Sequence, residues 1–333
     1  MTKAWRKLVR TELLTMLRET NEYVSGQKVC ETLGVSRTAV WKAVNQLRKS
    51  GYEIEAVSNK GYRLISIPDI LNQHELLSRR KTKWIGVDTL CYDTIDSTNA
   101  QAKRLAEEGY GNGTLIVADY QNAGRGRRGR SWESPAGTTI SMTLLLKPDI
   151  SPNNASMITL VAALAVAKAI TQLTGVPAGI KWPNDIVMNG KKVCGILTEM
   201  SAQFDYVNHI VVGIGINVST ESFPEEIQDI ATSLRLETGK FISRAELIET
   251  VWEHFEEDYE TYLQTQDLQN LVKDYNARLV NMHQRVKVLD PKEPFEGNAR
   301  GITPKGELMV DTWESRKLVS SGEVSVRGIY GYV

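Results

Sequence analysis

The chain reads as a multidomain α+β protein, and three observations carry that expectation. Its 333 residues exceed what one small core organises, at roughly 100 to 200 residues per domain. An opening stretch of helix-period and turn signals ends in a short hairpin, and from Lys83 strands and helices alternate. The last stretch is a run of short strands parted by turn residues. Hydrophobic residues make up 41% and charged residues 24%, an ordinary globular balance that argues against extensive disorder.

Residues 3–19 are expected as a first helix. Ser25 then precedes Gly26-Gln27-Lys28 as the cap of a short helix that stops near Leu33-Gly34. Val35-Ser36 lead into a longer helix in which Val40, Val44 and Leu47 recur at i, i+4 and i+7 and bury one stripe, leaving Thr38, Lys42, Asn45 and Lys49 opposite. A short helix, a glycine turn and a second helix with a basic outer face is the helix-turn-helix arrangement that offers its second helix to a major groove. Arg37, Thr38, Lys42 and Asn45 are therefore the candidate DNA-binding residues. Residues 52–57 and 61–65 read as strands around Ser58-Asn59-Lys60, a wing on which Lys60 and Arg63 can touch phosphate.

The formal net charge is zero, yet residues 1–66 hold twelve Lys or Arg against six Asp or Glu. A basic module on a balanced protein suits an anionic partner, and contacts to phosphate weaken steeply with salt. An ordinary three-helix module for dimerisation or regulation is the alternative.

Residues 67–82 form a polar connection with a short helix. Beyond them a strand at 115–118 leads to Gly124-Arg125-Gly126-Arg127-Arg128-Gly129-Arg130. The run contains G-x-G-x-x-G, which in a dinucleotide fold opens a helix directly after the strand. Residues 131–139 include Pro135 and Gly137, poor in a helix interior, and run into a strand at 140–146, so that reading is set aside. What is left is a mobile loop whose glycines let backbone N–H groups approach a ligand and whose guanidinium groups suit carboxylate or phosphate. An arginine tract for nucleic acid is the alternative, although such tracts seldom sit between two apolar strands.

Three further segments converge on a site. Asp96-Ser97-Thr98-Asn99 heads a helix, either capping it or bonding a ligand. Lys181-Trp182-Pro183-Asn184-Asp185 ends a strand. Asn189-Gly190 makes a hairpin turn into a strand that carries Lys192 beside Gly195, a glycine that permits close approach. No G-x-x-x-x-G-K-[ST] occurs. His74, His209, His254 and His283 show neither metal nor triad spacing. Cys30, Cys91 and Cys194 are unpaired in spacing, which suits a reducing cytoplasm. No signal segment is read at the N-terminus. The apolar run at 157–167 falls short of the ~20 residues a bilayer requires and reads as a buried helix.

Taken together, Asp96 to Asn99, Gln121 with the arginine-glycine loop, the Lys181 to Asp185 run, residues 190–197 and Gly213-Ile214-Gly215-Ile216-Asn217 closely resemble the bifunctional biotin protein ligases, the biotin operon repressors, over nearly the whole chain. The resemblance implies a winged helix-turn-helix DNA-binding domain (1–66), a linker (67–82), a catalytic α/β domain with a mixed, class II synthetase-like sheet (83–276), and an SH3-like C-terminal β-barrel (277–333). It implies biotin binding at Ser97, Thr98, Asn99, Gln121, Gly124, Arg125, Gly126, Arg127, Trp132, Lys192 and Gly195. It implies ATP binding at Arg127, Arg130, Lys181, Asn184 and Asn217, with Arg127 and Lys192 catalytic and no side chain assigned to metal. Biotin, ATP and Mg2+ follow as the small molecules. A biotin carboxyl carrier protein, operator DNA and a second copy of the chain on that DNA follow as partners, without a membrane. A ligand-sensing repressor without ligase activity and a lipoate ligase of related fold are the competing readings.

Overall fold

In a computed structural model of the chain, the described residues are 3–290, 293–321, 325–328 and 332–333. Met1 and Thr2, at the head of the expected first domain, and residues 291–292, 322–324 and 329–331 of the expected last domain lie outside them. Contacts divide the chain into two compact units, Met1–Arg80 and Lys81–Val333.

In the first unit, α1 (Lys3–Arg18), α2 (Gly26–Leu33) and α3 (Arg37–Lys49) precede the antiparallel pair β1 (Glu53–Val57) and β2 (Gly61–Ser66), and α4 (Gln73–Arg79) ends it. The expected caps are present: the Ser25 hydroxyl accepts from Lys28 N at 3.1 Å and that of Ser36 from Ala39 N at 3.3 Å. Gly34, at φ 62°, ends α2 in the left-handed conformation. Leu13, Leu14 and Leu17 of α1 meet Val29 of α2 and Val40, Val44 and Leu47 of α3 in the core. Behind the wing, Tyr62 exchanges backbone hydrogen bonds of 2.8 and 2.9 Å with Val24. Only glycine fits at position 61, since a Cβ there would fall 2.0 Å from the Val24 carbonyl oxygen.

Residues 67–82 do more than connect. The buried Glu75 of α4 accepts from Tyr52 Oη and Arg79 Nε, each at 2.7 Å, and from Arg18 of α1, so three donors satisfy one buried carboxylate.

In the second unit the elements run β3 (Thr89–Ile95), α5 (Thr98–Glu107), β4 (Thr114–Gln121), β5 (Thr139–Leu146), α6 (Met157–Thr174), β6 (Gly179–Lys181), β7 (Asp185–Met188), β8 (Lys191–Ala202), β9 (Val207–Asn217), α7 (Leu234–Thr238), α8 (Arg244–Thr265) and α9 (Val272–Arg278). A seven-stranded mixed sheet has the order β3-β4-β5-β9-β8-β7-β6, parallel at β3–β4 and antiparallel elsewhere. The helix expected at 157–167 extends to Thr174. Pro152–Thr174 is long and apolar enough to cross a membrane by composition, yet it is largely buried inside this unit. Asp258 of α8 pairs with Lys168 of α6 at 2.6 Å.

The remaining strands, β10 (Arg285–Leu289), β11 (Phe295–Ile302), β12 (Leu308–Asp311), β13 (Arg316–Val319) and β14 (Ser325–Gly328), form an antiparallel sheet in the order β13-β12-β11-β10-β14. The last strand thus returns to pair with the first, and Val286, Val288, Ala299 and Val310 fill the inside.

Candidate active site and nucleic-acid interface

Strand alternation explains why the glycine-rich sequences face one cavity. Residues two apart on a strand share a face, so Gly213 and Gly215 of β9 both open to the same side. A Cβ at Gly213 would lie 2.1 Å from Asn99 Oδ1, and one at Gly215 would lie 2.4 Å from Trp132 Cε2. The two glycines therefore admit the head of α5 and the Trp132 indole. On the neighbouring β8, Gly195 faces Lys192 Nζ and Trp132 in the same way, at 3.0 and 3.3 Å from its would-be Cβ.

One end of the cavity so formed is lined by hydroxyl and amide side chains. Ser97 caps α5, accepting from Ala100 N at 3.5 Å, and also lines the cavity. Gln121 Oε1 accepts from Thr98 N at 2.8 Å and from the Thr98 hydroxyl at 3.1 Å, while Gln121 Nε2 donates to Ser141 at 3.2 Å. Asn99 Nδ2 donates to the Leu197 carbonyl at 3.1 Å and to Glu199 at 2.8 Å. These bonds hold a set of donors and acceptors in fixed directions.

The other end is cationic. Arg127 Nη1 donates to Asn184 Oδ1 at 2.8 Å and Nη2 to the Ser321 carbonyl at 3.1 Å. Lys192 Nζ pairs with Asp185 Oδ1 at 2.6 Å, and Lys181 Nζ stands 4.0 Å from Asp185 Oδ2. Burial pulls the Arg127 guanidinium below its ordinary value and lowers Lys181 to about 8, against the opposite pull of Asp185. Burial alone would raise the Asp185 carboxyl, but Lys192 and Lys181 outweigh it and hold it below the usual carboxylate range. A site that keeps buried cations beside a single carboxylate is prepared for further negative charge.

Between β4 and β5 the arginine-glycine loop forms a short turn at Arg127–Gly129 and does not open an α-helix, as its prolyl and glycyl followers implied. Gly126 N bonds Arg130 O at 2.7 Å and Trp132 N bonds Gly124 O at 3.0 Å, so the loop expected to be mobile carries bonds of its own. The buried Trp132 Nε1 has no partner, and the cavity holds only about 60 Å3 of free space.

Of the expected residues, Ser97, Thr98, Asn99, Gln121, Arg125, Gly126, Arg127, Trp132, Asn184, Lys192 and Gly195 line this one cavity, joined by Ile196, Leu197, Gly213, Ile214 and Gly215. Gly124 lies behind Trp132. Arg130 is exposed, Lys181 is buried beside Asp185, and Asn217 donates its amide to Thr232 O at 3.1 Å; none of these three lines the cavity. Two contributors went unassigned in the sequence. Asp185 lay inside a noted motif but was given no role, although a carboxylate opening the apolar Ile186-Val187-Met188 was a usable signal. Tyr332, whose hydroxyl reaches Asp185 Oδ2 at 2.5 Å, had no local signal at all. Among the described residues no group of three or more His, Cys, Asp or Glu is arranged to hold a metal ion.

In the first unit, Arg37, Thr38 and Lys42 are exposed on α3 and Asn45 is half-buried beside them. Arg37 Nη2 donates to Gln27 of α2 at 3.2 Å. Trp41 is 57% exposed on the same helix. On the wing, Lys60 and Arg63 both lie over the Tyr23 ring, at 5.6 and 4.7 Å from its centroid.

Comparison with known proteins bears on both surfaces. A family model described as "Biotin/lipoate A/B protein ligase family" matches residues 91–217, an "HTH domain" matches 9–63, and a "Biotin protein ligase C terminal domain" matches 284–327. The chain is 41% identical over 324 residues to the bifunctional ligase/repressor BirA of Bacillus subtilis, covering 96% of this chain and 99% of that one. It is 29% identical to the protein of the same name in Escherichia coli, covering 94% and 96%. A solved biotin protein ligase from Aquifex aeolicus, in complex with biotin and ATP, superposes with a TM-score of 0.65 at 33% identity over 73% of this chain and 99% of that one.

Proposed function

The chain belongs to the bifunctional ligase/repressor family of biotin protein ligases, and we propose that it is an ATP-dependent biotin protein ligase that also represses transcription in response to biotin. The observation that carries the reading is the single cavity in which Arg127 and Lys192 meet Thr98, Asn99 and Gln121. A cyclic urea suits the neutral donors and acceptors at one end, and a carboxylate next to a phosphate suits the cations at the other.

In the first step a biotin carboxylate oxygen bonds to the α-phosphorus of MgATP, and pyrophosphate leaves with the electrons of the broken P–O bond. Two anions have to meet, so screening by Arg127 and Lys192 lowers the barrier where charge develops. Magnesium arrives with the nucleotide, since Mg2+ takes phosphate and water ligands and needs few from the protein. Lys181, Arg130, Asn184 and Asn217 serve the nucleotide, while Ser97, Thr98, Asn99, Gln121, Gly124, Arg125, Gly126, Trp132 and Gly195 enclose biotin. In the second step the neutral lysine amine of a biotin carboxyl carrier protein attacks the acyl carbon, and AMP leaves. The closed loop keeps water from the mixed anhydride in between.

The first unit reads operator DNA through α3, with Arg37, Thr38, Lys42 and Asn45 toward the groove. Two copies of the chain on a two-half-site operator, favoured by the adenylate, link biotin supply to repression. Three free thiols suit the cytoplasm. Mass spectrometry of a biotin acceptor domain, incubated with the protein, biotin and MgATP, tests the enzyme. A gain of one biotinyl group is expected, and an unshifted acceptor would favour the sensor-repressor reading.

A further inference from the structure

Tyr332, beyond β14, reaches the centre of the cationic end. Its hydroxyl donates to Asp185 Oδ2 at 2.5 Å, and its ring centroid lies 3.9 Å from Lys181 Nζ. The other oxygen of the same carboxylate holds Lys192 at 2.6 Å. Burial and the adjacent carboxylate push the Tyr332 hydroxyl far up, so it remains a proton donor throughout the physiological range. Lys181 and Asp185 face each other in register on β6 and β7 and are only 6% and 9% exposed. Without a competing donor, so close a pair closes to contact distance, because an ammonium and a carboxylate in a poorly solvated site attract strongly.

We propose that Tyr332 is a positioning residue that occupies Asp185 Oδ2, keeps the Lys181 ammonium from closing on it, and so leaves Lys181 available to the polyphosphate of the nucleotide. The hydroxyl supplies one hydrogen bond to the carboxylate, and the ring face offers the displaced ammonium a cation–π seat. The charges of Lys192, of Arg327 on β14 and of Arg130 on the loop also oppose that of Lys181. An anion entering among these groups therefore finds a cation held 4.0 Å from Asp185 and not in hydrogen-bond contact with it.

This inference deepens the ligase reading and rests on it for the identity of the anion, so its test has two readouts. Competitive acetylation of the whole protein across a pH series, read by peptide mass spectrometry, gives the titration midpoint of Lys181 without reference to activity. Tyr332→Phe and Tyr332→Ala should each raise that midpoint by about one pH unit as Lys181 closes on Asp185. An unchanged midpoint in both variants overturns the proposal. In adenylation kinetics, Tyr332→Phe should raise KM for MgATP about tenfold with KM for biotin unchanged; equal rises in both, or a fall in melting temperature alone, also overturn it. Failure of the wild-type protein to form any adenylate would count against the ligase reading, and the Lys181 midpoint would still decide the role of Tyr332.

Discussion

Lys192 and Arg127 carry the same charge into one cavity but are held differently. Lys192 is anchored to Asp185 on a strand, whereas Arg127 sits on a loop and spends its guanidinium on Asn184 and the Ser321 carbonyl. Losing a fixed cation removes stabilisation of developing charge, so Lys192→Ala should cut adenylate formation by about 10²–10³-fold. Circular dichroism should show the fold retained. Losing Arg127 also unfastens the loop. Arg127→Gly should therefore still make adenylate but release it, and biotin should appear on lysines of an unrelated bystander protein. Adenylate retention equal to wild type would remove Arg127 from the role of clasp. Both residues stood out in the sequence because a lysine beside a strand glycine and four arginines among three glycines are unusual local patterns. Asp185 and Tyr332 did not, since the meaning of a carboxylate depends on which cations surround it.

Helix α8 contributes more than packing. Glu249 accepts from the backbone of Lys81 and Thr82, and Glu256 accepts from Lys83 N, Trp84 N and Ile85 N at 2.7, 3.0 and 3.2 Å. This use of its acids has no local sequence signal, since it depends on where residues 81–85 pass. Burial raises the Glu249 carboxyl to about 7, against the backbone donors that lower it. A carboxyl raised on folding binds its proton more tightly in the native state. Its stabilising contribution is therefore complete below about pH 4.5 and lost as pH climbs through 7, on the order of 3 kcal/mol. Denaturant melts at pH 5 and pH 8 should differ by less in Glu249→Gln than in the wild type; an unchanged difference would place the titration elsewhere. On the wing, Lys60→Ala should weaken binding to all DNA sequences alike and reduce the slope of log affinity against log salt by about one. A loss confined to one base position would make Lys60 a base reader.

The whole chain divides after Arg80, and every residue lining the cavity lies beyond that point. Removal of residues 1–80 should abolish operator binding in a gel-shift assay and leave adenylate formation measurable; retained DNA binding would put the contact on the second unit. A cut at 66 leaves α4 behind with Arg79 but without Arg18 and Tyr52, two of the three donors to the buried Glu75. The sequence by itself determined the helix-turn-helix, the wing, the strands around the arginine-glycine loop and most of the residues that share the cavity. It could do so because periodicity, caps and turn glycines are local properties of the chain, and because the cavity residues stand in short motifs that resemble those of a known family. Only the tertiary structure decided that α4 belongs to the first unit, that Gly213 and Gly215 make room for Asn99 and Trp132, and that Tyr332 shares Asp185 with two lysines. Those facts come from packing and electrostatics between residues up to 147 positions apart, where no short-range pattern records which side chains will meet.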